Sequence, residues 1–312
     1  MKVLSLLCIA AVAVTLAYAQ DSYSEDQAWN SLLYCKAAYC DVNKIASWTC
    51  ESCGDHPNFQ VKGAYNNGSF HGQCFTGYDP SRNQIVVSFR GSADFANWIA
   101  DFDFFMMPYP DAECVGCQVH TGFFQVYQEL AAAVLRDVSE LLIAHPSAEV
   151  LVTGHSLGAA IAMHAGVDIA RKISGAHSKT YVYNFGEPRL GNPAFAAWSA
   201  AVLPAGKQYR LTHATDPVPH LPPMDFGFLH ARHELWYNNN GNTSFIHCND
   251  TLTSEDPNCS DSIIPLGFGD HTVYLGICTG CHCADFDQEF YNKMQIVMPR
   301  TKSDRVGVKH LP

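Results

Sequence analysis

Val150-Leu-Val-Thr-Gly154-His155-Ser156-Leu157-Gly158 decides how this chain is read. A β-rich apolar run, Val150 to Val152, feeds into Gly-His-Ser-Leu-Gly, and an apolar-periodic run from Ala159 to Ile173 follows. This is the strand, sharp turn and helix in which a G-x-S-x-G serine is held strained with its hydroxyl exposed. Gly154 and Gly158 are required there, because a Cβ at either place would crowd the packed turn. The bare pattern arises by chance in many chains. With strand and helix on the correct sides, Ser156 reads as a nucleophile.

Working outward, residues 26–40 suit an opening helix carrying Ala28, Leu32, Leu33 and Tyr39. Residues 83–90 read as a buried strand ending at Gly91. Residues 121–144 carry Tyr127, Ala131, Val134, Val138 and Leu141 at steps of four and three, an amphipathic helix closed by Pro146. After the elbow come a strand at 179–185, a helix near 193–202 and a strand at 208–212. Residues 234–237 look like another strand, after which cysteine and glycine dominate. Strands alternating with helices predict an α/β fold, a mostly parallel sheet covered on both faces.

A serine hydroxyl needs a histidine to take its proton, and a buried carboxylate must orient that histidine. On such a sheet the partners follow in the order Ser, Asp, His, in loops at the carboxyl ends of later strands. Asp216, in His213-Ala-Thr-Asp-Pro-Val-Pro219, falls just past the 208–212 strand in a proline-stiffened turn. Asp225 sits in a looser context, and Asp270 neighbours the favoured histidine, so its side chain points away from it. His271, in Gly-Asp-His-Thr-Val-Tyr274, lies where chain order puts the base, with His230 as runner-up. His230 and His233 read as packing or hydrogen-bonding near the pocket, and His155 as structural. Two donors must meet the developing oxyanion, each worth roughly 2.7–4 kcal/mol. The Leu157 N–H is one, and Ser92, after the 83–90 strand, is the other candidate.

The first 19 of 312 residues have a basic start, a short apolar core and an Ala17-Tyr-Ala19 end, which describes a secretory leader. Residues 20–312, 293 in number, suffice for a single α/β domain, and no later segment is long enough to span a bilayer. Lys2 leaves with the leader, so 18 basic side chains face 30 acidic ones, a net charge of −12 that repels nucleic-acid phosphates. Of 13 cysteines Cys8 also leaves, and an even twelve in an exported chain predicts up to six disulfides. Cys278-Thr-Gly-Cys281-His282 matches a haem attachment signature, and Cys50-x-x-Cys53 and Cys114-x-x-Cys117 resemble halves of a zinc site. Disulfides are the better reading of all three, since the two pairs lie about 60 residues apart, outside usual zinc-ribbon spacing. Sequons at Asn67, Asn242, Asn249 and Asn258 fit export, and the last three predict an exposed loop over residues 242–260. The chemistry requires no metal or organic cofactor, and no acidic run has EF-hand spacing.

These residues resemble the class 3 lipase family, the filamentous-fungal type of triacylglycerol lipase. The points of likeness are Val87-Ser-Phe-Arg-Gly-Ser92, Asn97-Trp-Ile-Ala-Asp101, Val119-His-x-Gly-Phe123, the elbow, Phe185-Gly-x-Pro-Arg-x-Gly-Asn192, Asp216-Pro-Val-Pro219 and Asp270-His271. They run from Asp79 to Tyr274, roughly two thirds of the chain. The resemblance implies an α/β-hydrolase fold, to which the cysteine count adds disulfide-rich flanks, and it implies a Ser156–Asp216–His271 triad, an oxyanion hole at Ser92 and Leu157, and a mobile lid after Ser92. Ala159 stands where the family often has glycine, and the cysteine-rich flanks and the Cys114–Cys117 insertion depart from its pattern. These two cysteines are placed to tether residues just past the lid.

In residues 93–107, Phe95, Trp98 and Ile99 would share one helical face with Phe102. An ordinary core helix has the same pattern, but its place after Ser92 favours a lid. Exposing each such side chain costs roughly 1.5–3 kcal/mol, which a lipid surface offsets. The expectation is a secreted serine lipase acting on acyl glycerols at an oil–water or membrane interface. Phospholipase A1 or feruloyl esterase activity would use the same triad. A silent lipid-binding protein on this fold would usually lack a triad member, and none is missing. A disulfide-rich adhesion module would explain the flanks but not the elbow.

Overall fold

Five parallel strands form the middle of the sheet and are buried on both faces almost throughout, those at 84–89 and 149–155 as largely apolar runs. In the computed structural model, which describes residues 23–68, 70–92, 103–203, 206–238 and 244–282, the helices are α1 (Glu25–Ala38), α2 (Val42–Ala46), α3 (Thr121–Ala144), α4 (Leu157–Lys172), α5 (Pro193–Val202) and α6 (Phe268–His271). The strands are β1 (Gln60–Asn67), β2 (Gly72–Asp79), β3 (Gln84–Phe89), β4 (Met106–Pro108), β5 (Gln118–His120), β6 (Glu149–His155), β7 (Thr180–Phe185), β8 (Gln208–His213), β9 (Glu234–Tyr237), β10 (Ile246–His247), β11 (Val273–Tyr274) and β12 (Ile277–Cys278). The expected leader, the lid residues Phe95, Trp98 and Ile99, and the sequon Asn242 lie outside the described residues.

The eight-stranded sheet has the order β1-β2-β3-β6-β7-β8-β9-β10. Strands β3, β6, β7, β8 and β9 run parallel. Antiparallel β1 and β2 close one edge and β10 the other. Sequence periodicity does not mark β1 and β2, since Gln60-Val-Lys-Gly-Ala-Tyr-Asn-Asn67 has no clean alternation and β2 contains Gly72 and Gly77. Their pairing instead rests on the buried sheet beside them.

Successive side chains divide between two cores. Ile85, Val87 and Phe89 join the core beneath α3, α4 and α5, whereas Val86 joins the one beneath α1. Local signals set the helix ends. The Ser24 hydroxyl accepts the Gln27 N–H at 3.2 Å to start α1, which stops at Ala38 and leaves Tyr39 as its C-cap. Asn192 accepts the Phe195 N–H at 3.0 Å ahead of Pro193, a favoured first helical residue. Helix α3 ends at Ala144, two residues before Pro146.

The disulfides are Cys40–Cys281, Cys50–Cys53, Cys114–Cys117 and Cys248–Cys259, and Cys278 is also disulfide-bonded. The haem and zinc-like patterns are therefore cross-links. The expectation of up to six disulfides is corrected, because Cys35 and Cys74 are free and buried. Their side chains belong to the two different cores, on opposite sides of the sheet. Cys114 and Cys117 bind each other and stiffen their own turn, so they tether no distant segment.

The 242–260 loop is only partly exposed. Asn249 and Asn258 face solvent, but Glu255 turns inward to a bidentate pair with buried Arg189 at 2.8 and 2.6 Å. Asp250 similarly reaches buried Arg210 at 3.1 Å. Asn67 closes β1.

Candidate active site

Ser156 sits between β6 and α4 with φ 61° and ψ −134°, a conformation few non-glycine residues adopt. Packing enforces it. A Cβ on Gly154 would lie 2.2 Å from the Gly158 carbonyl oxygen, and one on Gly158 would lie 2.3 Å from that of Phe89. Both glycines are thus needed for the reason their sequence suggests. The Ser156 hydroxyl is buried and takes no hydrogen bond in this state, and catalytic hydrogen bonds often tighten only with substrate.

His271 and Asp216 meet as expected, with His271 Nδ1 donating to Asp216 Oδ2 at 2.8 Å. The carboxylate accepts two more bonds, from the Tyr274 hydroxyl at 2.6 Å and the Val218 N–H at 2.8 Å. Burial pushes this carboxyl up, but His271, Tyr274 and Val218 outweigh burial and hold it below its ordinary value. It is therefore a charged acceptor. The Ser156 N–H bonds the Phe185 carbonyl at 2.9 Å, and the next residue, Gly186, has φ +55°. A Cβ there would come within 3.0 Å of both Asp216 Oδ2 and the His271 ring, so this seam joins the serine elbow to the Asp–His pair.

Asp270 does not orient the base. Its Oδ2 accepts the Thr215 N–H and hydroxyl at 2.9 and 2.7 Å, and Gly267 N–H bonds the Thr215 carbonyl at 2.9 Å. These bonds fasten the His271 loop to the Asp216 loop. His230, the runner-up, instead donates from Nε2 to the Pro219 carbonyl at 2.8 Å. Leu157 opens α4, so its N–H has no acceptor within the helix and lies at the positive end of the helix dipole. Ser92 follows Gly91, whose Cβ position is 3.0 Å from Ser156 Cβ, so the predicted oxyanion loop abuts the nucleophile.

Tyr274 and Tyr39 were not anticipated as site residues. Tyr274 lies three residues past His271, a local hint, while Tyr39 reaches the site from 116 residues away, hydrogen-bonding His155. Among the described residues, Glu234, Cys248 and Cys259 bring metal-type ligand atoms together. Both sulfurs are in one disulfide and Glu234 is engaged by Thr212 and Arg210, which leaves nothing to hold a metal.

Glu187, beside the seam, accepts from Asn184 at 2.6 Å, and burial pushes its carboxyl up from 4.5 to about 7 despite Asn184 and Arg210. A raised folded-state value favours the protonated form, so stability is full below pH 4.5 and declines as pH rises through 7. At about 1.4 kcal/mol per pH unit between 4.5 and 7, the full loss is about 3.5 kcal/mol. Glu187→Gln is expected to abolish that decline. Urea midpoints at pH 5 and pH 8.5 check this, and equal declines in both proteins would refute it.

A sharp serine elbow between a parallel strand and a helix, followed by a buried Asp–His pair from later loops, defines an α/β-hydrolase of the serine type. The family model for class 3 lipases matches residues 86–226. A lipase of Rhizomucor miehei is 36% identical over 78% of this chain and 66% of its own length. A secreted mono- and diacylglycerol lipase of Penicillium cyclopium is 31% identical over 68% of this chain and 70% of its own length. The chain spans about two thirds of these curated relatives. A solved triacylglycerol lipase, described as having a serine-protease triad at its catalytic centre, has a TM-score of 0.76 at 32% identity, covering 83% of this chain and 96% of that one. Lipase II of Rhizopus niveus gives 0.75 at 30% identity, covering 84% and 98%. The chain belongs to the class 3 lipase family.

Proposed function

We propose that this protein is a secreted serine esterase that hydrolyses acyl glycerols at a lipid surface. The Ser156 elbow, joined to the Asp216–His271 pair across the Phe185–Gly186 seam, carries the reading. Ser156 Oγ attacks the ester carbonyl as His271 Nε2 takes its proton, and the Leu157 N–H and Ser92 receive the oxyanion. The intermediate collapses as His271 gives that proton to the departing glycerol oxygen, leaving an acyl-enzyme. Water, activated by the same histidine, then releases the fatty acid. Asp216 stays ionised throughout and stabilises the imidazolium. The leader-like residues 1–19, the disulfides and relatives named as secreted lipases support export.

The surface around the site supports a lipid interface. Phe105, Phe226, Ile264 and Leu266 are 70%, 58%, 75% and 64% exposed. The Phe104 ring packs 4.8 Å from that of Phe226, in the chain that follows the Asp216 loop, and Ile264 and Leu266 precede the Gly267–Thr215 bond. Segments 103–106, 224–226 and 261–266 include three acids, Asp103, Asp225 and Asp261, and no lysine or arginine. Such a rim favours uncharged lipid over anionic lipid. Specific activity on a short-chain triglyceride is expected to rise steeply once its concentration passes the solubility limit. A smooth saturation curve across that limit would count against an interfacial enzyme.

A further inference from the structure

The strand end that leads to Ser92 and the main chain of His271 are joined through buried His155 and half-buried Tyr39. His155 Nε2 lies 2.7 Å from the His271 carbonyl oxygen, and His155 Nδ1 lies 2.8 Å from the Tyr39 hydroxyl. A carbonyl oxygen only accepts, so Nε2 carries the proton and Nδ1 accepts from Tyr39. The Gly91 N–H in turn donates to the Tyr39 oxygen, which comes so close that a Cβ on Gly91 would be 2.1 Å away. Every donor in this line therefore points one way, from Gly91 through Tyr39 and His155 to His271. The line is also anchored, because the residue after Tyr39 is Cys40, bonded to Cys281 beyond β12.

We propose that Tyr39 and His155 are positioning residues, holding the His271 main chain in register with the strand end that supplies the oxyanion loop. The proposal rests on the assignment of Ser156 and His271 above. Acyl transfer needs the base near Ser156 Oγ and the oxyanion donors near the carbonyl oxygen at the same moment. A misplacement of about 1 Å costs on the order of 10²-fold in rate. His155 suits the task because burial, then the nearby His271, keeps its pKa well below the ordinary value. Its ring stays neutral 4.5 Å from the ring on which positive charge develops. The hydroxyl of Tyr39 is likewise kept protonated by burial.

Tyr39→Phe removes one oxygen and breaks the line at its centre. Tyr34→Phe is the control, since Tyr34 is on the same side of the sheet and donates to Asp79 at 2.7 Å, outside the line. Both variants, wild type and Ser156→Ala are assayed on a soluble p-nitrophenyl ester, with thermal midpoints measured alongside. Tyr39→Phe is expected to lower kcat tenfold or more with KM within twofold, and Tyr34→Phe to keep wild-type kcat. A Tyr39→Phe kcat within twofold of wild type, or equal losses in both tyrosine variants, overturns the proposal. Activity retained in Ser156→Ala overturns the site assignment and the proposal with it. Nitrogen NMR of histidine-labelled wild type gives a test independent of variant folding. His155 is expected as the neutral Nε2-protonated tautomer, and an Nδ1-protonated or charged ring overturns the assignment of donors.

Discussion

Ser156→Ala is expected to lower turnover on a soluble ester by about 10⁶-fold while leaving the fold intact, as losing the serine of a triad typically does. The side chain lost is one oxygen that takes no hydrogen bond, so little stability rests on it. Alanine must still adopt φ 61°, but the packing that imposes this conformation comes from Gly154, Gly158 and their neighbours and does not change. KM for an ester still bound should therefore be near the wild-type value. Activity on p-nitrophenyl butyrate and on emulsified triglyceride, with thermal midpoints, checks the prediction. A loss smaller than about tenfold would mean that another residue is the nucleophile.

Asp216→Asn is expected to cost on the order of 10⁴-fold in kcat, the scale seen when a triad histidine is forced into the wrong tautomer. Asp216 is surrounded by donors, with Oδ1 accepting from Val218 N–H and Oδ2 from both His271 and Tyr274. An asparagine offers only one acceptor oxygen. If its NH₂ replaces Oδ1, it confronts the Val218 N–H, donor against donor. If it replaces Oδ2, His271 Nδ1 must become an acceptor and the proton moves to Nε2, where the base can no longer take one from Ser156. The first orientation costs stability and the second removes the tautomer that catalysis needs, and the two hydrogen bonds accepted at Oδ2 against one at Oδ1 decide how the amide sits. Purified variant kcat on the soluble ester measures it, and a loss below tenfold would show that Asp216 does not orient the base.

Fold and site were unequally legible. The strands over 84–89, 149–155, 180–185 and 208–213 and the helices around the elbow are readable because burial on both faces, or on one helical stripe, writes a local period into the chain. Strands β1 and β2 carry no such period, since their partners rather than their own residues make them strands. Sequons are surface signals and so predict an exposed loop over residues 242–260. Its carboxylates turn inward because Arg189 and Arg210 are buried and need them, and those arginines lie 66 residues before Glu255 and 40 before Asp250.

Sequence alone determined the elbow at Ser156 and singled out Asp216, His271, Ser92 and Leu157 as its candidate partners, because a strained turn needs glycines at fixed steps and stiff loops must follow strand ends. Tertiary structure alone decided which thiols pair, that Asp270 fastens a loop rather than orienting the base, and that Tyr274, Tyr39 and His155 surround the catalytic pair. Apart from the three short-range disulfides, those contacts include pairs 55 to 241 positions apart, from Thr215–Asp270 to Cys40–Cys281. The physical reason is that a hydrogen bond or a disulfide depends on where two atoms arrive in space. Only the packed sheet, with its two cores, fixes that for residues so distant along the chain.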